Sequence, residues 1–267
     1  MASAAGLWHE TRGPDGAPPL ILSPGLGGSA AYWAPNLEAL GADHRLILYD
    51  HRGTGRSDRK LQSGLTVDDM ADDVIALADS LGIGRFGLVG HAAGAAIGLS
   101  LALRFPERLD RLVAVNGWAA PDPHFLLCME TRIRLLRDSG VAAFVRAQPI
   151  FLYPANWISA NHARIEADER HAIEHFQGAA NVEARIAALA KFDIEAGLGD
   201  ISTDILLVAA TDDMLVPSSC SQRMAEDLEN VRVETMTGGH ACNVSEAGTF
   251  NEIVRGWLGA ARNSGAI

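Results

Sequence analysis

Nowhere in its 267 residues does the chain hold the roughly 20 consecutive apolar residues of a membrane-spanning helix. Its start, Met-Ala-Ser-Ala-Ala-Gly-Leu-Trp-His-Glu, lacks the basic opening and apolar stretch of a signal peptide. Cysteine is scarce: Cys128, Cys220 and Cys242 are odd in number and show no metal-ligand spacing, which fits reduced thiols rather than a disulfide frame. Positive charge is short as well, with 22 Lys and Arg against 33 Asp and Glu and a net charge of −11. Phosphate binding needs clustered cations, so neither nucleic acid nor membrane is expected as a partner, and the acidity serves solubility. There is no internal repeat and no low-complexity tract. His171 and His175 stand four apart, but in a helical stretch where a solvated face explains them, so neither metal nor cofactor is expected. These absences predict a cytoplasmic protein whose partner is a small-molecule substrate, with a homodimer as one assembly open to it.

What is present is a core. At 48% apolar residues the chain can build one large domain. Short runs rich in Leu, Ile and Val occur at Pro19–Ser23, Arg45–Asp50, Phe86–Gly90, Leu112–Asn116, Ile205–Ala209 and Val231–Met236, as buried parallel strands do. Between them, Thr66–Leu81 and Ala93–Phe105 carry apolar residues at helical spacing. This alternation predicts an α/β fold with a mostly parallel central sheet flanked by helices, and a site beyond the carboxyl ends of the strands. Residues 118–200 break the rhythm. They read as helices interrupted at Pro149 and Pro154, and they concentrate aromatics: Phe125, Phe144, Phe151, Tyr153, Trp157, Phe176 and Phe192. The expected organisation is core (1–117), helical cap (118–200), core (201–267).

Four segments carry chemistry. The strand "FGLVG" runs into Gly90-His91-Ala92-Ala93-Gly94, the frame of a nucleophile elbow, G-x-S-x-G, with alanine at its centre. Glycines at 90 and 94 suit a sharp strand-to-helix turn, and the Ala93 amide falls at a helix N-terminus, where negative charge is favoured. "LSPGLGGSAAYW" (22–33) follows an earlier strand, and its Leu26 N–H is assigned as the second oxyanion donor. "ILLVAATDDMLVP" delivers two carboxylates, Asp212 and Asp213, after a buried strand, and "MTGGHACNV" delivers His240 after the last one. A histidine held by a carboxylate is a general base, and the order elbow, Asp, His is that of elbow hydrolases. Ala92, Asp213 and His240 are therefore the expected centre, with Asp212 as the alternative acid. His91, Trp118, Phe151 and Trp157 are the expected pocket walls. Ser23, Ser29, Cys242 and His91 are the nearby groups that could replace the missing nucleophile.

Together these segments resemble the α/β-hydrolase superfamily over nearly the whole chain. In that family's loop pattern the acid stands four residues before a proline, which here implies Asp213 with Pro217. "YDHRGTGRSD" (49–58) resembles the family's Gly-rich turn, where Asp50 and Arg52 pin loops while Gly53 and Gly55 permit the bend. The blocks "SPGLGGSAAYW", "VGHAAGA", "VNGW", "QPIFLYPANW", "HFQGAANVEARI" and "GGHACNV" are similar to the RutD family of the Rut pathway of pyrimidine degradation. That resemblance implies a cap inserted after the sixth strand and hydrolysis of carbamate or aminoacrylate. It also implies that Ala92 is natural, although a serine esterase or amidase inactivated by a Ser-to-Ala change would read identically. A catalytically silent ligand-binding protein on the same fold is the reading from another class. An aromatic-walled pocket suits a tiny polar carbamate poorly, which keeps a larger substrate open.

Overall fold

Alternate residues along each apolar run face opposite sides of one sheet. In the computed structural model, which describes residues 3–260, Ile21, Ile47, Leu88, Leu112 and Leu207 enter one core, and Leu22, Leu48, Val89, Val113 and Val208 enter the other. The strands are β1 (Ser3–Ala4), β2 (Leu7–Arg12), β3 (Pro19–Ser23), β4 (Arg45–Tyr49), β5 (Phe86–His91), β6 (Leu109–Val115), β7 (Asp204–Ala210) and β8 (Val231–Met236), in the spatial order β1-β2-β4-β3-β5-β6-β7-β8. Every pairing from β4 through β8 is parallel, while β1 and β2 add on antiparallel. All six runs expected as strands are strands. Strand β2 escapes the sequence reading, because "LWHETR" is half-buried and polar toward its end and so lacks the apolar run that marks an inner strand.

The helices are α1 (Leu37–Gly41), α2 (Val67–Ser80), α3 (Ala93–Arg104), α4 (Pro123–Leu152), α5 (Ala155–Ala160), α6 (His162–Glu174), α7 (Ala179–Leu189), α8 (Ser219–Asp227), α9 (Cys242–Ser245) and α10 (Ala247–Gly259). Met70, Val74 and Leu77 of α2 pack with α3 on one face of the sheet, while Leu40 of α1 and Phe250 and Val254 of α10 cover the other. Helix α2 starts where it does because Thr66 accepts from the Asp69 amide and Asp69 accepts from the Thr66 amide, a reciprocal capping box. Among the described residues, no helix is long and apolar enough to cross a membrane.

Helices α4 to α7 lie between β6 and β7. They rest on the loops at the carboxyl ends of the strands: His124 Nε2 meets the Met214 carbonyl at 3.0 Å, Arg185 donates to the Leu26 and Arg52 carbonyls, and the Leu152 carbonyl accepts from Ala241 N at 2.9 Å. One expected break is corrected. Pro149 lies inside α4 and does not end it; being in the last turn, it costs a single N–H where the helix stops three residues later. The bend in α4 falls instead at Gly140, whose φ of 83° and ψ of −178° are open to glycine. Pro154 does mark a break, as the residue capping α5.

The turn from β5 into α3 is possible only with glycine at two positions. A Cβ on Gly90 would lie 2.1 Å from the Gly94 carbonyl oxygen, and one on Gly94 would lie 2.1 Å from the Ser23 carbonyl oxygen at the end of β3. Both obstacles are backbone, so neither can swing aside. Gly94→Ala is expected to lower stability by about 2–3 kcal/mol through overpacking, read by urea denaturation. Gly256→Ala, in the interior of α10 with nothing within 4 Å of the added Cβ, is expected to gain about 0.5–1 kcal/mol. Equal effects at the two sites would refute this account of the turn.

Candidate active site

Between the last residue of β5 and the first of α3, Ala92 makes the turn alone. Its φ of 50° and ψ of −103° are strained for an L-residue, at a cost of about 1–3 kcal/mol. The turn is held by the Ala92 amide donating to the Val115 carbonyl at 2.9 Å and by the Ala96 amide donating back to Ala92 at 3.0 Å. A methyl group can form neither a covalent intermediate nor a hydrogen bond. What the strained turn still offers is the Ala93 N–H at the head of α3, which has no acceptor among the described residues.

The loop carrying Leu26 lies directly against this turn. A Cβ on Gly25 would fall 2.8 Å from His91 Nδ1. The Leu26 amide likewise has no acceptor among the described residues, while the Leu26 carbonyl takes the Arg185 guanidinium at 3.1 Å. The segment after β4 braces the same loop from behind. His51 donates from its amide to Gly28 at 2.8 Å and from Nε2 to the Pro24 carbonyl at 3.0 Å, and Asp50 accepts from Ala30 N at 2.9 Å. Burial, helped by the nearby Arg185 charge, pushes the His51 ring down to about 3, so it works here as a neutral donor. Asp50 also takes Arg56, Arg52 pairs with Asp73, and Gly53 and Gly55 both have positive φ.

Strands β7 and β8 supply the polar pair. His240 Nδ1 lies 2.7 Å from Asp213 Oδ2, and both side chains are shut off from solvent. A carboxylate can only accept here, so Nδ1 carries a proton, and it is Nε2 that presents a lone pair in the neutral ring. The other Asp213 oxygen accepts from the Leu215 and Val216 amides at 2.7 and 3.0 Å. Asp212 plays a different part. It accepts from the Gly238 and Gly239 amides and so fixes the loop that leads into His240. Both glycines have positive φ, 122° and 70°.

The peptide of His240 is fixed by two side chains to which the sequence reading assigns no part in holding it. Asn116, just past β6 with a φ of 48°, donates from Nδ2 to the His240 carbonyl at 2.8 Å and accepts from Ala210 N at 2.8 Å. One buried amide thus ties the end of β6 to the end of β7 and to the histidine loop. The available signal is an asparagine followed by glycine at a strand end, since asparagine tolerates positive φ. His91 Nε2 donates to the same carbonyl at 2.7 Å, and its ring stacks on Tyr32 and packs 4.6 Å from the His240 ring, centre to centre. Burial first, then the neighbouring His240, hold His91 well below its usual range. It is a neutral brace at the site.

The groups that could replace the nucleophile are otherwise occupied. Ser23 is buried against Tyr49 at 2.7 Å, and Ser29 caps the 3₁₀ turn after β3. Cys242 is buried, and desolvation together with Asp213 pushes its thiol up to about 12. Of the expected walls, Trp118 packs on Phe125 at 4.3 Å within the core that also contains Ala92, and Phe151 lies against that core. Trp157 is instead held within the helical insertion, stacked on Tyr153 at 4.2 Å with Arg164 over its ring. Tyr32, absent from the expected set, donates to Asn243 Oδ1 at 2.7 Å, and burial raises its hydroxyl well above the usual range. His171 and His175 stack on each other in and just after α6.

Residues 18–246 match the family described by the alpha/beta hydrolase fold. The enol-lactonase of Burkholderia xenovorans LB400 superposes with a TM-score of 0.88 over 97% of this chain and 99% of its own, at 23% identity, a likeness of fold. Proteins named "Putative carbamate hydrolase RutD" are far closer in sequence. The one from Caulobacter sp. (strain K31) is 50% identical over 95% of this chain and 96% of its own, and the one from Rhizobium rhizogenes is 49% identical over 94% and 96%. Half the residues shared over nearly the full length of both chains is kinship rather than common architecture, and the protein belongs to the RutD family of α/β-hydrolases.

Proposed function

We propose that the protein hydrolyses a small, labile C–N compound of pyrimidine nitrogen catabolism, carbamate or aminoacrylate, with water as the nucleophile. The observation that carries this reading is a complete, buried His240–Asp213 pair opposite an elbow whose central residue is a methyl. A protein that only bound ligands would have no use for a histidine held in one tautomer by a carboxylate, a strained turn, and two amides left without acceptors. The name shared by its relatives supports the C–N substrate.

In this mechanism His240 Nε2 takes a proton from water as the water oxygen bonds to the carbon bearing nitrogen. Negative charge developing on the substrate falls to the Leu26 and Ala93 amides. The C–N bond then breaks, and His240 returns the proton to the departing nitrogen. For carbamate, the anion and one water give ammonia and bicarbonate. For aminoacrylate, one water gives ammonia and the enol of the three-carbon aldehyde acid, which tautomerises to the aldehyde as a proton moves from the enol oxygen to the neighbouring carbon through solvent. Loss of the serine from a full triad removes about six orders of magnitude, and binding with an oxyanion hole leaves about three to four. That remainder suffices for compounds that already decay in water.

His240→Ala is expected to slow ammonia release from carbamate or aminoacrylate by about 10²–10³-fold, the usual contribution of a general base. A rate unchanged by that substitution removes His240 from the mechanism, and a wild-type rate equal to the spontaneous one makes the protein a silent binder. Ala92→Ser is expected to gain burst hydrolysis of an activated ester such as p-nitrophenyl acetate. Activity confined to the Ser form, on any substrate, would instead mark an esterase whose serine had been replaced. Asn116→Ala, which leaves the His240 carbonyl to His91 alone, is expected to lower kcat about tenfold with KM nearly unchanged. A change in KM alone would contradict the positioning role.

A further inference from the structure

Two guanidinium groups are buried in the helical insertion with no carboxylate partner among the described residues, and their surroundings differ. Arg185 of α7 is 1% exposed, and its terminal nitrogens meet four oxygens: the carbonyls of Leu26 and Arg52, Thr54 Oγ1 and Gln177 Oε1. It is a staple between the insertion and the loops below. Arg132 of α4 is 4% exposed and has one oxygen partner among the described residues, Gln148, together with the Met129 sulfur at 3.8 Å. Its Nε has no partner among them, and the rings of Phe144 and Phe151 each lie 5.7 Å from the guanidinium carbon. A guanidinium has five N–H donors in a rigid fork, and an unpaired buried cation is costly. Desolvation pushes Arg132 down only to about 10, so it remains a cation at neutral pH.

Its neighbours touch both loops of the polar pair. Cys128, one helical turn earlier on the same face of α4, contacts the Met214 carbonyl at 3.5 Å, next to Asp213. Phe151 precedes Leu152, whose carbonyl accepts from the residue after His240. No hydrogen bond or ion pair joins Arg132 to Asp213 or His240 directly. A ligand that engages both must therefore reach from one to the other.

We infer that Arg132 is the anion anchor of this site: its free edge holds the carboxylate of a short substrate whose amino-bearing carbon lies at the other end, toward His240. The inference rests on the hydrolytic reading above and narrows it. Nε and one terminal nitrogen form a fork that matches the two oxygens of a carboxylate. Phe144 and Phe151 exclude water and so strengthen the pairing. A compound with its carboxylate and its C–N carbon at opposite ends fits this arrangement, and an uncharged amide of the same shape does not. The unsatisfied donors are thus stability given up for binding.

The test uses propionate and its uncharged isostere propionamide as probes, by titration calorimetry on the full chain. The wild-type protein is expected to bind propionate at least tenfold more tightly than propionamide. Arg132→Met is expected to weaken propionate by about 10- to 100-fold, the value of charge-assisted hydrogen bonds, while leaving propionamide unaffected. Arg132→Lys is expected to recover part of the loss, since it keeps the charge and loses the fork. With its unpaired charge gone, ligand-free Arg132→Met is expected to melt at or above the wild-type Tm. A lower Tm for Arg132→Met, with propionate affinity unchanged in Arg132→Lys, would make the arginine structural and overturn the proposal. His240→Ala is expected to keep its propionate affinity. If it also keeps its turnover, the hydrolytic reading fails, whereas unchanged propionate affinity in both Arg132 variants defeats the anchor alone.

Discussion

The hydrogen bond between Asp213 and His240, 2.7 Å long and closed to water, is the contact toward which the rest of the fold is directed. It joins residues 27 apart in sequence, carried by the ends of adjacent parallel strands, and it holds only if both loops are fixed. Asp212 fixes one by taking the Gly238 and Gly239 amides; the Leu215 and Val216 amides fix the other by converging on Asp213. Asn116 and His91 then hold the His240 carbonyl from beneath. The imidazole has one orientation and one tautomer because Asp213 holds its Nδ1, and the loops on either side and its own peptide carbonyl are each fixed by hydrogen bonds. Such order is what a general base requires and what a passive pocket does not.

Much of this is legible in the chain. Glycines 90, 94, 238 and 239 mark turns that no other residue makes, so the elbow and the histidine loop can be read from spacing alone. The inner strands declare themselves because a strand buried on both faces is apolar throughout. Asp213 is distinguished from Asp212 by resemblance, through Pro217, and the geometry gives the two adjacent acids separate roles. Other features leave little local signal. The Asn-Gly pair at 116–117 marks a turn at a strand end, but what Asn116 binds is set only when β7 and the histidine loop arrive beside it. Arg132 reads as one charge on an amphipathic helix, and only the fold of α4 at Gly140, which brings Phe144, Gln148 and Phe151 around it, turns it into a buried cation. Sequence puts that bend at Pro149 because proline is the louder breaker, although a proline in the last turn of a helix costs little.

The aromatic character of the helical insertion, at odds with a tiny polar substrate when read as sequence, has a physical use in the structure. Apolar rings around a guanidinium lower the local dielectric, and an anion is then worth more to that cation than it would be in water. The insertion therefore both covers the strand ends and supplies the charge that the sheet itself does not offer. Ala92 completes the arrangement. It keeps the strained turn of an elbow and the Ala93 amide that has no acceptor among the described residues, and in the proposed mechanism its methyl leaves the substrate carbon to water.

Whether catalysis here is free of a covalent intermediate is the central claim, and intact-protein mass spectrometry on samples quenched during turnover tests it directly. The wild-type protein is expected to keep its unmodified mass throughout hydrolysis, while Ala92→Ser treated with an activated ester is expected to gain one acyl group on the elbow. A substrate-derived mass on the wild-type chain, mapped to any side chain at the site, would contradict the account.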